Sequence, residues 1–365
     1  MQNSNHSDLK MGCLFMKAEK FKLFSQGKIF MKTILTLLAT LIVTFSGNVT
    51  ADSSMGKFTG GTIYTLPDWF KSSFLDFGED VENAREQGKH IMVFLHLDEC
   101  PYCDRLIKEN FISGRNRETL EEKFDSIAIN ILGDLDVIWI DGKSYTEQEL
   151  TRHLNVVATP TMVFLDLSGK KVLQLNGYRD PESIRHALDY VDGKHYQQQS
   201  FSDYQTNLER PEIYSFRSHP KLEVTTYLKD YNGPLLVLFE DQYCIECGRF
   251  HEKTLNHSDV LEAMTPFLFI RLDSEATHPL VTPDGNVTTP KQWAQDLGLT
   301  YRPAVVMFNK KKERVRADGI LYHLHFSEAL LYTARKYTEY DSIRDFKDAY
   351  RAELMSSGKD VDFSE

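Results

Sequence analysis

Two cysteine pairs of identical spacing constrain this chain more than any other feature. The stretch VFLHLDECPYCDRLIKENF contains Cys100 and Cys103, and LLVLFEDQYCIECGRFHEKTL contains Cys244 and Cys247. In both stretches an apolar run typical of a buried strand leads into the pair, and an amphipathic pattern typical of a helix follows it. The pattern therefore predicts two sites of one kind, each where a strand is followed by a helix.

The residues around the two pairs also repeat. Pro160 follows Cys100 by 60 residues, and Pro303 follows Cys244 by 59 residues. Between these landmarks each half shows a helix, an apolar strand, an Asp-Gly turn and a short helix; after the proline come a strand hairpin and a capped helix. Self-similarity of this length indicates a duplicated unit rather than one large domain.

The order of elements predicts the fold class. Alternating strands and helices that end in a hairpin favour a mixed central sheet flanked by helices. We therefore expect an α/β protein of two tandem domains, 57–210 and 211–365. Each copy is expected to close with an extra helix, FSDYQTNL in the first and IRDFKDAY in the second.

The N-terminal region has the pattern of a secretory signal. Met31 and Lys32 precede the apolar run ILTLLATLIVTF and the small-residue stretch SGNVTADSS. We expect residues 31–51 to be a signal peptide, residues 1–30 to be a wrongly assigned upstream extension, and the protein to be periplasmic or secreted. The apolar run is shorter than the roughly 20 residues that span a bilayer. No stable membrane span is expected after cleavage, and an uncleaved anchor is the alternative.

Composition and motifs narrow the functional classes. The chain is 41% hydrophobic and 12% aromatic, which is enough for packed cores. Its net charge is −11, whereas a nucleic-acid-binding protein usually carries clustered basic residues. Covalent haem attachment requires a histidine directly after a cysteine pair, where this chain has Asp104 and Gly248. No bound cofactor, metal or nucleic acid is expected.

A Cys-x-x-Cys pair at the start of a helix is suited to disulfide exchange. The first sulfur lies near unsatisfied N–H groups and the positive end of the helix dipole, which favours its thiolate. It can attack a disulfide, and the second sulfur can resolve the mixed disulfide that forms. We assign Cys100 and Cys244 as attacking residues, with Cys103 and Cys247 as resolving residues.

The intervening residues differ between the two pairs. Pro101 supports the helix start because proline at the first helical position loses no hydrogen bond, and Tyr102 is expected to have no electrostatic effect. Ile245 and Glu246 occupy these positions in the second pair. A carboxylate so close disfavours a thiolate, so Cys244 is expected to be the less acidic thiol.

Two other roles for the cysteines remain open. Structural disulfides within such short loops would contribute little stability. A metal site could use Cys244, Cys247 and His251, although the first copy has Ile107 at the position that corresponds to His251. The pairs lie much farther apart than in zinc ribbons, where about 15 to 20 residues separate them.

These residues resemble the thioredoxin fold. The stretch ECPYCDRLIKENF is similar to periplasmic thioredoxin-like proteins associated with bacterial sulfur oxidation, and the resemblance covers roughly 75–190 and 220–338. It implies two tandem thioredoxin-like domains that exchange dithiols and disulfides with protein partners and are recharged by an upstream redox partner. The alternative is a redox-inactive or metal-binding module, in which one or both pairs serve docking or metal coordination.

The resemblance also implies a substrate-binding loop in each domain. In that fold a cis proline faces the dithiol, and the residue before it pairs with an extended substrate, which implicates Thr159 and Pro160 in the first domain. Arg302 and Pro303 are their counterparts in the second domain.

One departure from the family concerns proton transfer. The buried acid that thioredoxin has six positions before the first cysteine is replaced by Phe94 and Leu238. His96, Glu240 and His251 are nearby candidates for that role.

Overall fold

The computed structural model describes residues 55–364. The predicted extension 1–30 and the predicted signal peptide 31–51 therefore lie outside the described residues. Within the described range, no helix is both long enough and apolar enough to cross a membrane.

The strands are short and most of them belong to two sheets. In chain order they are β1 Phe58–Thr59, β2 His90–His96, β3 Phe124–Asn130, β4 Asp136–Ile138, β5 Ser144–Thr146, β6 Thr161–Leu165, β7 Lys171–Asn176, β8 Leu222–Glu223, β9 Leu235–Glu240, β10 Leu268–Asp273, β11 Leu280–Val281, β12 Val287–Thr288, β13 Ala304–Asn309, β14 Lys312–Ala317 and β15 Val361–Asp362.

Helices connect these strands. They are α1 Phe77–Glu86, α2 Pro101–Asn110, α3 Arg115–Lys123, α4 Glu147–His153, α5 Pro181–Asp192, α6 Phe201–Thr206, α7 Cys247–Arg249, α8 Ser258–Ala263, α9 Pro290–Asp296, α10 His323–Leu331 and α11 Ile343–Ser356. A 3₁₀ turn spans His195–Gln197, and π-helical turns continue α7 over Phe250–Leu255 and α10 over Tyr332–Lys336. The expected closing helices are present as α6 and α11.

The first domain is built on a four-stranded mixed sheet in the order β3-β2-β6-β7. Strand β2 is parallel to β3 and antiparallel to β6. Because successive side chains point to opposite faces, Met92 and Phe94 enter one apolar core while Val93 and Leu95 enter another. The sequence HIMVFLH is buried throughout because both faces of its strand are covered.

The second domain repeats this arrangement. Its sheet has the order β14-β13-β9-β10, with β8 added beside β10. Leu236 and Leu238 enter one core, and Val237 and Phe239 enter the other. The prediction of two tandem domains, each with a mixed sheet flanked by helices, is confirmed.

The two ends of the described chain pair with each other. Strand β1 lies parallel to β15, with Phe58 opposite Val361, and the amide of Gly56 donates to the carbonyl oxygen of Met355 at 2.8 Å. A Cβ at Gly56 would overlap the backbone of Lys359, so this close approach requires glycine. The start of the predicted first domain is thereby fixed to the end of the second.

Candidate active sites

Cys100 lies at the junction between strand and helix that the sequence predicts. It is the N-cap of α2, with Pro101 in the first turn, and its Sγ accepts the backbone N–H of Cys103 at 3.1 Å. The two cysteines form a disulfide with their Cα atoms 5.2 Å apart. The backbone N–H of Cys103 in the first turn thus points toward the sulfur that we assign as the attacking one.

The second pair differs in its local backbone. Cys244 and Cys247 form a disulfide with Cα atoms 5.6 Å apart, but helix α7 begins only at Cys247. Cys244 lies in the preceding turn, where its amide donates to the carbonyl oxygen of Asp241 at 3.3 Å. The second helix therefore begins two residues later in its motif than α2 does in the first motif, and Cys244 is not its N-cap. The second pair has Ile245 where Pro101 presets a helical φ in the first pair.

The predicted proline loops lie beside the cysteines. The Thr159–Pro160 and Arg302–Pro303 peptide bonds are both cis. Thr159 Oγ1 lies 3.6 Å from Cys100 Sγ. Arg302 lines the same groove as Cys244. Ile245, 43% exposed, lines this groove as well.

Buried polar groups that flank each pair in the sequence have different partners in the two domains. In the first domain His96 Nδ1 is 2.7 Å from Tyr64 Oη, and burial lowers the pKa of His96. In the second domain His251 Nε2 is 2.8 Å from the fully buried Glu240. Burial and the neighbouring Glu240 carboxylate raise the pKa of Tyr214 to about 12. The three candidate residues from the sequence thus form two different polar environments.

An ion pair joins the second motif to the first domain. Arg105 on α2 donates to Glu246 at 2.6 and 3.3 Å, and the Glu246 side chain is only 7% exposed. The guanidinium offsets the negative charge that was expected to disfavour a thiolate at Cys244. The ion pair weakens the electrostatic reason for a less acidic Cys244, which stays a prediction. No local pattern indicates this partner, because it lies 141 residues away.

Tyr102 has a packing role that the sequence did not predict. Its ring stacks on Tyr322 of the second domain with centroids 3.9 Å apart. Its Oη accepts the backbone N–H of Tyr322 at 2.5 Å and lies 3.4 Å from His325 Nδ1. Tyr102 and Glu246 hold the same position in their motifs. Each motif therefore uses its third residue to contact the other domain.

In this structure the three residues considered for a metal site have other partners. Cys244 and Cys247 are bonded to each other, and His251 bonds Glu240. A different set, His257, Asp259 and His323, brings its ligand atoms within 4.8 Å of one another, with the two imidazole rings stacked at 4.0 Å.

Comparison with known proteins agrees with the repeated fold. The family model described as a thioredoxin-like domain matches the chain twice, at residues 77–192 and 223–334. The thiol:disulfide interchange protein DsbD of Colwellia psychrerythraea is 26% identical over 149 residues, which is 40% of this chain and 23% of that protein. The match thus spans about a quarter of that relative.

Solved structures with a similar fold match single parts of the chain. A thioredoxin-fold protein from Helicobacter pylori, 20% identical, covers 35% of this chain and 91% of its own, with a TM-score of 0.29. A thioredoxin from Thermus thermophilus, 26% identical, covers 32% of this chain and 83% of its own, with a TM-score of 0.26. Because the two family matches together cover more than half of the sequence, the chain belongs to the thioredoxin-like domain family and carries two copies of that domain.

Proposed function

We propose that this protein is a thiol–disulfide oxidoreductase that exchanges dithiols and disulfides with protein substrates through both cysteine pairs. The observation that carries the proposal is the pairing of Cys100 with Cys103 and of Cys244 with Cys247, each as a disulfide between a buried strand and a helix of a thioredoxin-like domain. The similarity to a thiol:disulfide interchange protein supports it.

The reaction needs only sulfur atoms and protons. A substrate thiolate attacks Cys100 Sγ, the bond to Cys103 breaks, and Cys103 leaves as a thiolate. A second substrate thiolate then attacks the substrate sulfur of the mixed disulfide, which releases Cys100. The substrate loses two electrons and gains a disulfide, the protein pair gains those electrons, and the same steps in reverse reduce a substrate. Cys244 and Cys247 act in the same way.

The loops before the prolines would hold the substrate. This role for Thr159–Pro160 and Arg302–Pro303 is supported by the distance of 3.6 Å between Thr159 Oγ1 and Cys100 Sγ and by Arg302 lining the groove at Cys244. The backbone of such a loop can pair with an extended segment that carries the reacting sulfur. A protein partner that restores the starting redox state completes the cycle. The signal pattern at residues 31–51 supports action in the periplasm or outside the cell.

Trapping tests the proposal. Cys103→Ala should accumulate a mixed disulfide at Cys100, and Cys247→Ala should do so at Cys244, because neither mixed disulfide can then be resolved from within the pair. A variant with serine at all four cysteines is the control. Insulin reduction by dithiothreitol should proceed faster with the wild-type protein than with this control, and equal rates together with failed trapping would contradict the proposal.

A further inference from the structure

A groove at the second cysteine pair is lined by both domains. Cys244, Tyr301 and Arg302 of the second domain lie on one side of it, and Asp180, His186 and Ser202 of the first domain lie on the other. Two other surface pockets, one at Trp69 and one at Arg115, have no cysteine in their lining. A substrate that reaches Cys244 through this groove therefore meets the first domain as well as the second.

The first domain also holds the loop that precedes Pro303. Arg179 is 1% exposed, and its guanidinium donates to Thr300 Oγ1 at 3.4 Å and to Asp318 Oδ2 at 3.2 Å. The same guanidinium lies 4.6 Å from the centre of the Tyr301 ring. Three contacts thus run from one first-domain side chain to the loop and to its anchor.

Asp318 is that anchor. Its Oδ1 accepts the backbone N–H groups of Thr300 and Tyr301, each at 2.9 Å. These bonds fix the backbone immediately before Arg302, the residue expected to face the substrate. Because Arg179 supplies the positive charge beside this partly buried carboxylate, its loss would leave Asp318 poorly compensated and free the loop to move.

The groove has no strong net charge. Four carboxylates and three basic side chains line it. They largely pair with each other, as in Lys291 with Glu275 at 2.9 Å and Arg302 with Asp241 at 3.6 Å. Serine, threonine and glutamine side chains supply further hydrogen-bonding groups. Such a lining suits a polar, uncharged segment of polypeptide better than a highly charged or apolar one.

We propose that the substrate site of Cys244 is a composite cleft built by both domains, with Arg179 as a positioning residue, and that it receives a polar, uncharged polypeptide segment bearing the thiol or disulfide. This rests on the proposed exchange function and adds to it a substrate class and a role for the first domain. The first pair is arranged differently, because Tyr102 is covered by the second domain.

The test uses the full chain with Cys100→Ser and Cys103→Ser, so that only the second pair reacts. The probe is a synthetic disulfide peptide flanked by serine and asparagine, reduced at a fixed dithiothreitol concentration. Arg179→Ala should lower kcat/KM for the peptide about tenfold, mainly through KM. The rate at which dithiothreitol alone reduces the Cys244–Cys247 disulfide should stay within about twofold of the rate without the Arg179 substitution, because no peptide segment has to bind in the cleft. Arg179→Lys should recover part of the loss.

Two further variants serve as control and as independent test. Arg85→Ala, which removes an exposed ion pair with Glu82 on α1, should leave the peptide kinetics unchanged. Ser202→Trp should narrow the groove from the first-domain side without touching Arg179 or Asp318, and should raise KM about fivefold or more. Thermal unfolding establishes whether each variant is folded, and Ser202→Trp decides the matter if Arg179→Ala unfolds.

The outcomes separate the cleft from the exchange function. Unchanged peptide KM in folded Arg179→Ala or in Ser202→Trp would overturn the composite cleft, while exchange itself would stand. Equal kcat/KM for peptides with neutral, acidic and basic flanks would overturn the substrate class. Absence of any catalysed exchange in the parent protein would instead contradict the proposed function.

Discussion

The guanidinium of Arg105 lies 2.6 Å from the carboxylate of Glu246. This ion pair joins α2, the helix that follows Cys100, to the residue before Cys247 in the second motif. Both side chains are largely buried, at 15% and 7% exposure. Arg105 also lies 4.0 Å above the ring of Tyr178 and donates to Glu109 at 3.0 Å. The contact couples the electrostatics of the two sites, because a change at either partner alters the charge beside Cys244.

Removal of Arg105 should destabilise the protein and change the second thiol. Arg105→Ala leaves Glu246 buried without its cation, so we expect the free energy of unfolding to fall by about 2–3 kcal/mol. The uncompensated carboxylate should also raise the thiolate pKa of Cys244 in the reduced protein. Urea unfolding and the pH dependence of alkylation measure the two effects.

The matched control for this ion pair is the exposed pair of Arg85 and Glu82. Arg85→Ala should change stability by about 0.5 kcal/mol or less. The double variant Arg105→Ala with Glu246→Gln should be more stable than Arg105→Ala alone. A Cys244 alkylation profile that does not move in Arg105→Ala would show that Glu246 is electrostatically remote from the sulfur.

Tyr102 should contribute to the packing between the domains. Tyr102→Phe keeps the stack on Tyr322 but removes the oxygen that accepts the backbone N–H of Tyr322. The free energy of unfolding should fall by about 1 kcal/mol. Tyr102→Ala also removes the buried ring and should cost about 3–4 kcal/mol. Urea unfolding measures both, with Tyr227→Phe at a half-exposed site as control. Equal stability of the alanine and phenylalanine variants would contradict a role for the stack.

His96 should make stability depend on pH. Burial lowers its pKa in the folded protein below the ordinary value of 6.5, so the unfolded chain takes up the proton first on acidification. The contribution of neutral His96 to the free energy of unfolding is therefore complete above about pH 6.5. It is lost as pH falls from there toward the folded pKa, by at most about 1.4 kcal/mol per pH unit.

The comparison with His96→Gln isolates this group. Urea unfolding at pH 7.5 and pH 5.5 should show a larger fall in stability for the wild-type protein than for the variant. Burial also lowers the pKa of His90 and His186, which act in the same direction but are common to both proteins. An equal fall in the two proteins would mean that His96 does not carry the expected titration.

The buried pair of His251 and Glu240 should stabilise the second domain, and the first domain has no matching pair at these two positions. His251→Leu removes the closest hydrogen-bond partner of the fully buried Glu240 carboxylate and should cost about 2 kcal/mol or more. Adding Glu240→Gln to that variant should recover part of the loss, because the buried charge is then gone. Urea unfolding checks this, with the exposed His278→Ala as control; a double variant less stable than His251→Leu would contradict the charge argument.

Much of the fold was predictable because its signals are local. Strand and helix periodicities, the cap at Cys100 with Pro101, and the nearly equal spacings to Pro160 and Pro303 are all written in short stretches of sequence. The later start of α7 was not predictable from the spacing of the cysteines, and the second pair has no proline to preset a helical φ at its second position. The partner of His251 could not be predicted, because Glu240 lies on the strand that precedes the motif and His251 on the helical turn that follows it.

By itself, the sequence determined the duplicated α/β unit, the two cysteine pairs and the proline loops, since periodicity and spacing need no knowledge of distant contacts. Tertiary structure alone decided that Arg105 meets Glu246, that Tyr102 stacks on Tyr322 and that Arg179 reaches Asp318. These contacts join residues more than a hundred positions apart. They depend on how two independently patterned domains dock, and no local pattern in the chain specifies that geometry.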